Sequence, residues 1–315
     1  MTKLALVISR WDAQPWIDRF SKVAPELDVC RWPDDNIAPD DIDYALAWQP
    51  PEGVLAGFAN LKAIFSLGAG VDHILSEPQL PDVPLVRVVD PDLTMRMSEY
   101  VCLHVLMHHR QQRLLDGDQA RTDWTERPQW SASALRVGIM GLGELGRDAA
   151  EKLVHLGFQV KGWSNSSKQI NGVEAYTGKD QLEAFLNTTD ILVCLLPHTP
   201  ATHGILNRQL FRKLSHDGPL GAPVLINAGR GKLQVETDIL ASLDAGELGA
   251  ATLDVFETEP LPVGSRLWQH PKVSLTPHNA ADSDPEALCK YILDQIMRHG
   301  EGEELLNVVN RQTGY

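Results

Sequence analysis

Short apolar runs alternate along the chain with stretches in which apolar residues return every three or four positions. The runs read as buried strands at Lys3–Ser9, Leu27–Arg31, Tyr44–Trp48, Ala63–Leu67, Leu135–Met140 and Phe158–Trp163. Further strands are expected at Asp190–Leu196, Val224–Ala228, Ala250–Val255 and Val273–Thr276. The periodic stretches predict helices over Gln14–Val23, Ser98–Leu115, Lys179–Leu186, Asn207–Leu214, Val235–Ala245 and Pro285–His299. A short helix fits near Leu55 and Leu61, and Leu145, Ala149, Leu153 and Leu156 set the period of another. Strand, helix and strand in regular alternation predict parallel sheets in an α/β fold. One such unit precedes a glycine-rich turn at Gly141 and a second follows it. Between them, Pro78–Pro91 carries four prolines and marks a boundary.

Two stretches stand outside the alternation. The first part of the Ser98–Leu115 helix (YVCLHVLM) is apolar nearly all round, which predicts burial between domains or against a partner subunit. The polar stretch Asp116–Ala132 has no strand pattern but carries Trp124, Pro128 and Trp130. It is long for a loop and reads as an arm suited to dimer contact.

Composition narrows the classes. At 315 residues, with 43% hydrophobic and 22% charged positions, two domains of an ordinary soluble protein are expected. A net charge of −14 argues against nucleic acid or an anionic membrane surface as the main partner, though not against a small anionic substrate. Four widely spaced cysteines, with no C-x-x-C, read as reduced buried thiols of a cytoplasmic protein. The first residues flow directly into a strand, so no signal peptide is expected, and no apolar run approaches membrane-spanning length.

The chemistry starts at Gly141-Leu-Gly143-Glu-Leu-Gly146, placed between a buried strand and an amphipathic helix. Gly141 permits a tight turn, Gly143 lets the backbone approach a pyrophosphate, and Gly146 lets helix and strand pack closely. The helix start offers free N–H groups and a positive dipole end to phosphates, so this segment predicts dinucleotide binding. An NAD-type site would carry a carboxylate at the end of the next strand. Here that strand runs into Ser164-Asn165-Ser166-Ser167-Lys168, where nothing repels a 2′-phosphate, so NADPH is preferred and NAD is the alternative.

From these motifs outward the chain resembles the D-2-hydroxyacid dehydrogenases, and most closely their glyoxylate/hydroxypyruvate reductase A branch. The likeness runs through FSLGAGVDHIL from Phe65, LTMRMSEY from Leu93, GLGELG from Gly141, LLPHTPATHGILN from Leu195 and INAGRG from Ile226. It continues through LDVFETEPLP from Leu253, LWQHPKVSLTPHNAA from Leu267 and the closing Gly314-Tyr315. The resemblance implies two Rossmann-like domains with parallel sheets and an active site in the cleft between them, usually in a homodimer. Residues 1–98 and 283–315 would form the substrate domain and residues 99–282 the dinucleotide-binding domain. It implies a reductase of short 2-keto acids such as glyoxylate and hydroxypyruvate, using a nicotinamide cofactor and no metal. Besides the glycines, Leu145, Leu196, Pro197, Thr202, Ala228 and Asp254 fall in motifs assigned to the cofactor. One departure is Asn165, which stands where this branch commonly has an arginine.

Reduction of a 2-keto acid needs a cation for the substrate and a proton donor for the developing alkoxide. Arg230 follows the strand Val224–Ala228 in a turn of small residues, and a planar guanidinium suits a carboxylate. His278 follows the last strand, and Glu259 would accept a hydrogen bond from it and raise its pKa. With eleven histidines in the chain, position alone would not single out His278; the matching motifs do. The resemblance assigns these roles to Arg230, Glu259 and His278. The turn Gly68-Ala69-Gly70-Val71 presents consecutive N–H groups that can hold a carboxylate. Ala69, Gly70 and Val71, with Trp48 as a wall, are therefore expected to contact substrate, with Tyr100, Met95 and Arg96 as weaker candidates.

Other readings are poorer. His104 and His108 have zinc-helix spacing but lack the glutamate and third ligand. Gly172–Lys179 fails as a phosphate loop, and no Tyr-x-x-x-Lys pair supports short-chain dehydrogenase chemistry. A different substrate within the family, such as D-lactate or 3-phosphoglycerate, is a second enzyme reading. A non-enzymatic dinucleotide sensor of corepressor type is a third.

Overall fold

The structure is a computed structural model, described for residues 2–9, 12–34, 36–312 and 314. It divides into two compact units, Met1–Leu93 with Ser283–Tyr315, and Thr94–Asp282. The first division thus falls a few residues before position 98.

In the first unit the chain runs β1 (Lys3–Ile8), α1 (Gln14–Val23), β2 (Asp28–Arg31), β3 (Tyr44–Trp48), β4 (Ala63–Ser66), α2 (Asp72–Leu75) and β5 (Leu85–Val86). All the strand pairs are parallel, in the order β2-β1-β3-β4-β5. The central strands are apolar on both faces because both faces are covered. Leu4, Leu6 and Leu46 pack with Phe20 of α1 and with Leu288, Cys289, Ile292 and Ile296 of the closing helix Pro285–Gly300. Ala5, Val7, Ala45 and Ile64 face Leu55, Phe58 and Ile74 on the other side. The tail returns to this sheet, where Val309 N–H donates to Leu85 O at 2.8 Å. The two-residue β5 lies within the proline-rich stretch and has no strand pattern of its own; this tail and β4 hold it on either side.

The second unit opens with most of α3 (Pro91–His109), followed by α4 (Gln112–Ala120), β6 (Arg136–Met140), α5 (Glu144–His155), β7 (Gln159–Ser164) and β8 (Val173–Thr177). It continues with α6 (Gly178–Asn187), β9 (Ile191–Cys194), α7 (Arg208–Phe211), β10 (Val224–Asn227), α8 (Glu236–Asp244), β11 (Ala250–Leu253) and β12 (Val273–Leu275). Its parallel sheet has the order β12-β11-β10-β9-β6-β7-β8, so the chain reverses direction across the sheet between β6 and β9. In an open α/β sheet that reversal leaves a crevice at the strands' C-terminal ends. The strand β8 is half-exposed at the edge, and its sequence VEAYT lacks the apolar run by which the others are recognised.

The Ser98–Leu115 stretch is not one helix. The helix begins earlier, at Pro91, where a missing N–H costs nothing and Asp90 accepts the Asp92 N–H at 3.0 Å. It then breaks at Gln111, whose φ is 56°, before α4 resumes. Within the single chain its first part is buried on one side, and the expected cover by a partner subunit is not tested by one chain. Val101 and Val105 are fully buried, whereas Leu103 is 55% exposed. The arm is also shorter than its polarity suggests, since α4 takes its first residues. Arg121 and Arg127 both close onto the buried Asp118 and pin the remainder.

Candidate active site

The glycine turn takes its shape from three different demands. Gly141 has φ 103°, a left-handed value that a side chain resists, and its N–H donates to Trp163 O at 2.9 Å. A Cβ on Gly146 would lie 1.8 Å from the Gly141 carbonyl oxygen, so only glycine lets α5 start so close to the turn. Gly143 caps α5, and a Cβ there would meet nothing within 4 Å. That open space faces the first-turn N–H groups, where an anion is stabilised. These residues fit a dinucleotide pyrophosphate, with Leu145 half-buried in the first turn.

Two further segments flank this turn. At the end of β7, Ser164 is buried and its hydroxyl donates to Ser166 O at 2.7 Å, closing a loop in which Asn165, Ser166, Ser167 and Lys168 are exposed. After β9, Leu195 N–H donates to Met140 O at 2.9 Å and leads to Leu196 and Pro197. Thr202 shapes that loop, since its hydroxyl donates to Pro197 O at 2.7 Å and accepts the Thr199 N–H at 2.8 Å. Ala228, buried, continues β10 with its N–H on Cys194 O.

At the same sheet ends lie the three polar candidates. His278 Nδ1 is 2.8 Å from Glu259 Oε2, and Phe256 N–H donates to the other carboxylate oxygen at 3.0 Å. A carboxylate only accepts, so His278 carries its proton on Nδ1 in this bond and turns Nε2 outward. The Glu259 bond raises the pKa of His278 above its ordinary value, against burial and against Arg230; Asp254 adds to the rise. Burial pulls the Glu259 carboxyl up, but the bonds from His278 and the Phe256 N–H, with the charge of Arg230, leave it net below its ordinary value. Arg230 itself donates through Nη1 to Gly229 O at 2.8 Å in the turn after β10. A raised histidine held by a carboxylate beside a guanidinium has the chemistry to donate a proton next to a cation able to hold an anion.

Asp254 is buried and sits under this group. Its carboxylate accepts from Thr276 Oγ1 at 2.6 Å, Asn279 N–H at 3.0 Å and Ala280 N–H at 3.2 Å. Tyr100 continues the chain, with its hydroxyl 2.8 Å from Thr276 Oγ1. Tyr100 is therefore a buried member of this network. The TPH motif carries Thr276 beside His278, but which group its hydroxyl meets depends on Asp254, more than twenty positions away, and sequence spacing gives no sign of it. His104 and His108 also turn inward, the first against the Tyr100 ring and the second 2.9 Å from Thr252 Oγ1. Among the described residues no group of three or more His, Cys, Asp or Glu is arranged to hold a metal ion, and no helix is long and apolar enough to cross a membrane.

In the first unit, β4 ends at a turn tied by Ser66, whose hydroxyl donates to Gly70 O at 3.1 Å and accepts the Gly68 N–H at 3.3 Å. The Gly68 N–H is thus directed into the turn, while Ala69 and Gly70 stay half-exposed and Val71 is buried. The Trp48 ring lies across Gly68, where a Cβ would meet it at 2.7 Å, and its centroid is 4.6 Å from that of the His73 ring, with the two planes tilted by 54°. Met95 and Arg96 lie in the first turns of α3. Tyr315 lies outside the described residues.

Residues 102–280 match the family model described as D-isomer specific 2-hydroxyacid dehydrogenase, NAD binding domain. The chain therefore belongs to the D-isomer specific 2-hydroxyacid dehydrogenases, a family of oxidoreductases. Among curated relatives, glyoxylate/hydroxypyruvate reductase A of Serratia proteamaculans is 41% identical, over 97% of each chain. Among solved structures, the NADPH-dependent glyoxylate/hydroxypyruvate reductase of Sinorhizobium meliloti, in complex with NADP and sulfate, aligns with a TM-score of 0.94 at 46% identity over all of both chains. A probable 2-hydroxyacid dehydrogenase of Rhizobium etli, in complex with NADP, HEPES and L(+)-tartaric acid, aligns with the same TM-score at 44% identity over 100% of this chain and 99% of that one.

Proposed function

We propose that this protein is an NADPH-preferring reductase of short 2-keto acids, converting glyoxylate to glycolate and hydroxypyruvate to D-glycerate. The observation that carries the reading is the 2.8 Å bond between His278 Nδ1 and Glu259 beside Arg230. In this reading Arg230 engages the substrate carboxylate and polarises the keto oxygen. His278 delivers its Nε2 proton to that oxygen as it gains charge, and Glu259 holds the imidazolium in place. The hydride for the keto carbon would come from the dinucleotide once it is bound. Gly141, Gly143 and Gly146, with Leu145, Leu196, Pro197, Thr202, Ala228 and Asp254, are assigned to the cofactor, and Trp48, Ala69, Gly70 and Val71 to the substrate.

The loop Ser164–Lys168 supports NADPH over NADH. It carries no carboxylate, and the exposed Asn165, Ser166 and Lys168 can donate to a 2′-phosphate. The Ser164 hydroxyl is occupied by Ser166, so Lys168 carries most of the effect. A preference of about 1–2 kcal/mol follows, the scale of one or two charge-assisted hydrogen bonds. A homodimer is part of the proposal, supported by the exposed Met95, Leu103 and Trp124, and so is a cytoplasmic setting with reduced thiols. Light scattering on the purified chain tests the first of these.

The decisive experiment is steady-state turnover with NADPH and with NADH across a panel of short 2-keto acids. Highest kcat/KM with glyoxylate or hydroxypyruvate and NADPH is expected. Binding of NADPH without its oxidation by any keto acid would instead support a dinucleotide sensor. Equal kcat/KM for the two cofactors would remove the preference, and Lys168→Ala and Ser164→Asp should each erode it.

A further inference from the structure

We propose that Thr276 and Tyr100 are positioning residues for His278, acting through the Asp254 carboxylate to hold the proton donor in a left-handed backbone conformation that aims it at Glu259. The inference rests on the reading of His278 as proton donor and adds the groups that place it.

His278 has φ 53°, a region that residues with a side chain enter only when their surroundings impose it. What imposes it is visible in the hydrogen bonds of residues 276–280. The His278 N–H donates to the Asp254 carbonyl at 2.8 Å and to the Thr276 carbonyl at 3.0 Å. On the near side, Thr276 Oγ1 donates to Asp254 Oδ1 at 2.6 Å; on the far side, the N–H groups of Asn279 and Ala280 reach Oδ1 and Oδ2 at 3.0 and 3.2 Å. One buried carboxylate therefore clamps the segment before and after the strained residue, leaving His278 at the apex.

The clamp has a direction. The Thr276 proton is committed to the carboxylate, so in the 2.8 Å contact with Tyr100 the phenol is the donor and Thr276 the acceptor. Burial raises the Tyr100 pKa well above its ordinary value, which keeps the phenol protonated and able to donate. Tyr100 sits on α3 among Met97, Val101 and Val105, an apolar wall that fixes where its hydroxyl points. The relay Tyr100, Thr276, Asp254 thus transfers the rigidity of a packed helix to the loop that carries the acid. It also fixes Asp254, whose charge acts on His278 together with those of Glu259 and Arg230.

The test is Thr276→Val, which keeps the shape and removes the hydroxyl, with Thr276→Ser as the conservative restoration. Without the clamp the segment relaxes, His278 withdraws from Glu259, and its pKa falls back toward the ordinary value. Imidazole titration of His278 by NMR in the cofactor-free protein should then move to lower pH, and the alkaline limb of the keto-acid reduction profile should move with it. kcat should drop roughly tenfold, while KM for NADPH stays within about twofold, since a misplaced donor costs mainly in the transition state. Thr276→Ser should restore both the titration and kcat. Tyr100→Phe, which removes only the outer bond, should shift the titration in the same direction by less, and it serves if the valine variant does not fold. A folded Thr276→Val with parental His278 titration and kcat would overturn the proposal. Failure of the underlying reading looks different, because His278→Ala would then turn over keto acids as fast as the parent.

Discussion

Each unit ends a parallel strand in a glycine turn, but the two turns are glycine-rich for different reasons. In the second unit a Cβ on Gly146 would fall 1.8 Å from a backbone carbonyl, against which nothing can rearrange. In the first unit a Cβ on Gly68 would meet the edge of the Trp48 ring at 2.7 Å, a side chain that can turn or be replaced. The second unit also holds the paired Glu259 and His278, whereas Gly68-Ala69-Gly70-Val71 carries no ionisable side chain of its own and is followed directly by Asp72 and His73. One turn is fixed by the main chain and lies in the unit that holds Arg230, Glu259 and His278, the residues proposed for the chemistry. The other is tied by the Ser66 hydroxyl and wedged by an aromatic ring.

The largest effect expected from this contrast is chemical. His278→Ala should lower kcat by about 10²- to 10⁴-fold with a smaller change in KM, the usual contribution of a proton donor. Glu259→Gln should shift the alkaline limb of the pH profile to lower pH, because the carboxylate is the main cause of the raised histidine pKa. Stopped-flow and steady-state rates across pH decide both, and an unshifted profile would separate Glu259 from His278. Arg230→Ala should lose substrate turnover while retaining cofactor binding.

Next in size is Gly146→Ala. Pushing α5 away from the Gly141 carbonyl should cost about 3 kcal/mol or more, at the upper end of overpacking penalties, and should abolish dinucleotide binding. Denaturant melts and NADPH titration measure the two effects. Unchanged stability would mean the turn is softer than its geometry implies.

Acid should also distinguish the units. Burial pushes His108 down to about 4, and lowers His104 and His109, all three on α3 in the second unit. A histidine depressed on folding adds stability above its unfolded pKa, and that stability drains as pH falls toward the folded value. Between about pH 6.5 and 4 the second unit should lose about 3 kcal/mol through His108 alone. Hydrogen exchange should therefore open β6 and β9 before β1 and β3 on acidification. His108→Gln, which can still reach Thr252, should narrow the gap.

The sequence made most of this legible where one period rules one element. Tyr44–Trp48, Gln14–Val23 and the glycine turn stand where their patterns place them. It was least legible where a neighbour decides. The strand β8 exists because β7 lends it a ladder, and the break at Gln111 interrupts a stretch whose composition suits a continuous helix. The site follows the same rule. Arg230, Glu259 and His278 sit at sheet ends within motifs, whereas the bond of Thr276 and the inward turn of Tyr100 become visible only through partners distant in the chain.

The smallest expected effect lies in the first unit and probes the contrast most directly. Gly68→Ala should destabilise by about 1–2 kcal/mol, since the new methyl displaces a ring and not a backbone. It should also raise KM for the keto acid, because the Trp48 ring that wedges the turn must move. If the ring is the whole obstacle, Trp48→Leu should relieve the clash. The double variant Gly68→Ala/Trp48→Leu should then be less destabilised than the sum of the two single changes. The corresponding pairing in the second unit has no partner to trim, because the obstacle to Gly146→Ala is the main chain itself. A double-mutant cycle on thermal melts gives the coupling directly, and contacting residues that share a clash should show at least about 0.5 kcal/mol. Strict additivity at Gly68 and Trp48 would mean that the first turn, too, is held by its backbone.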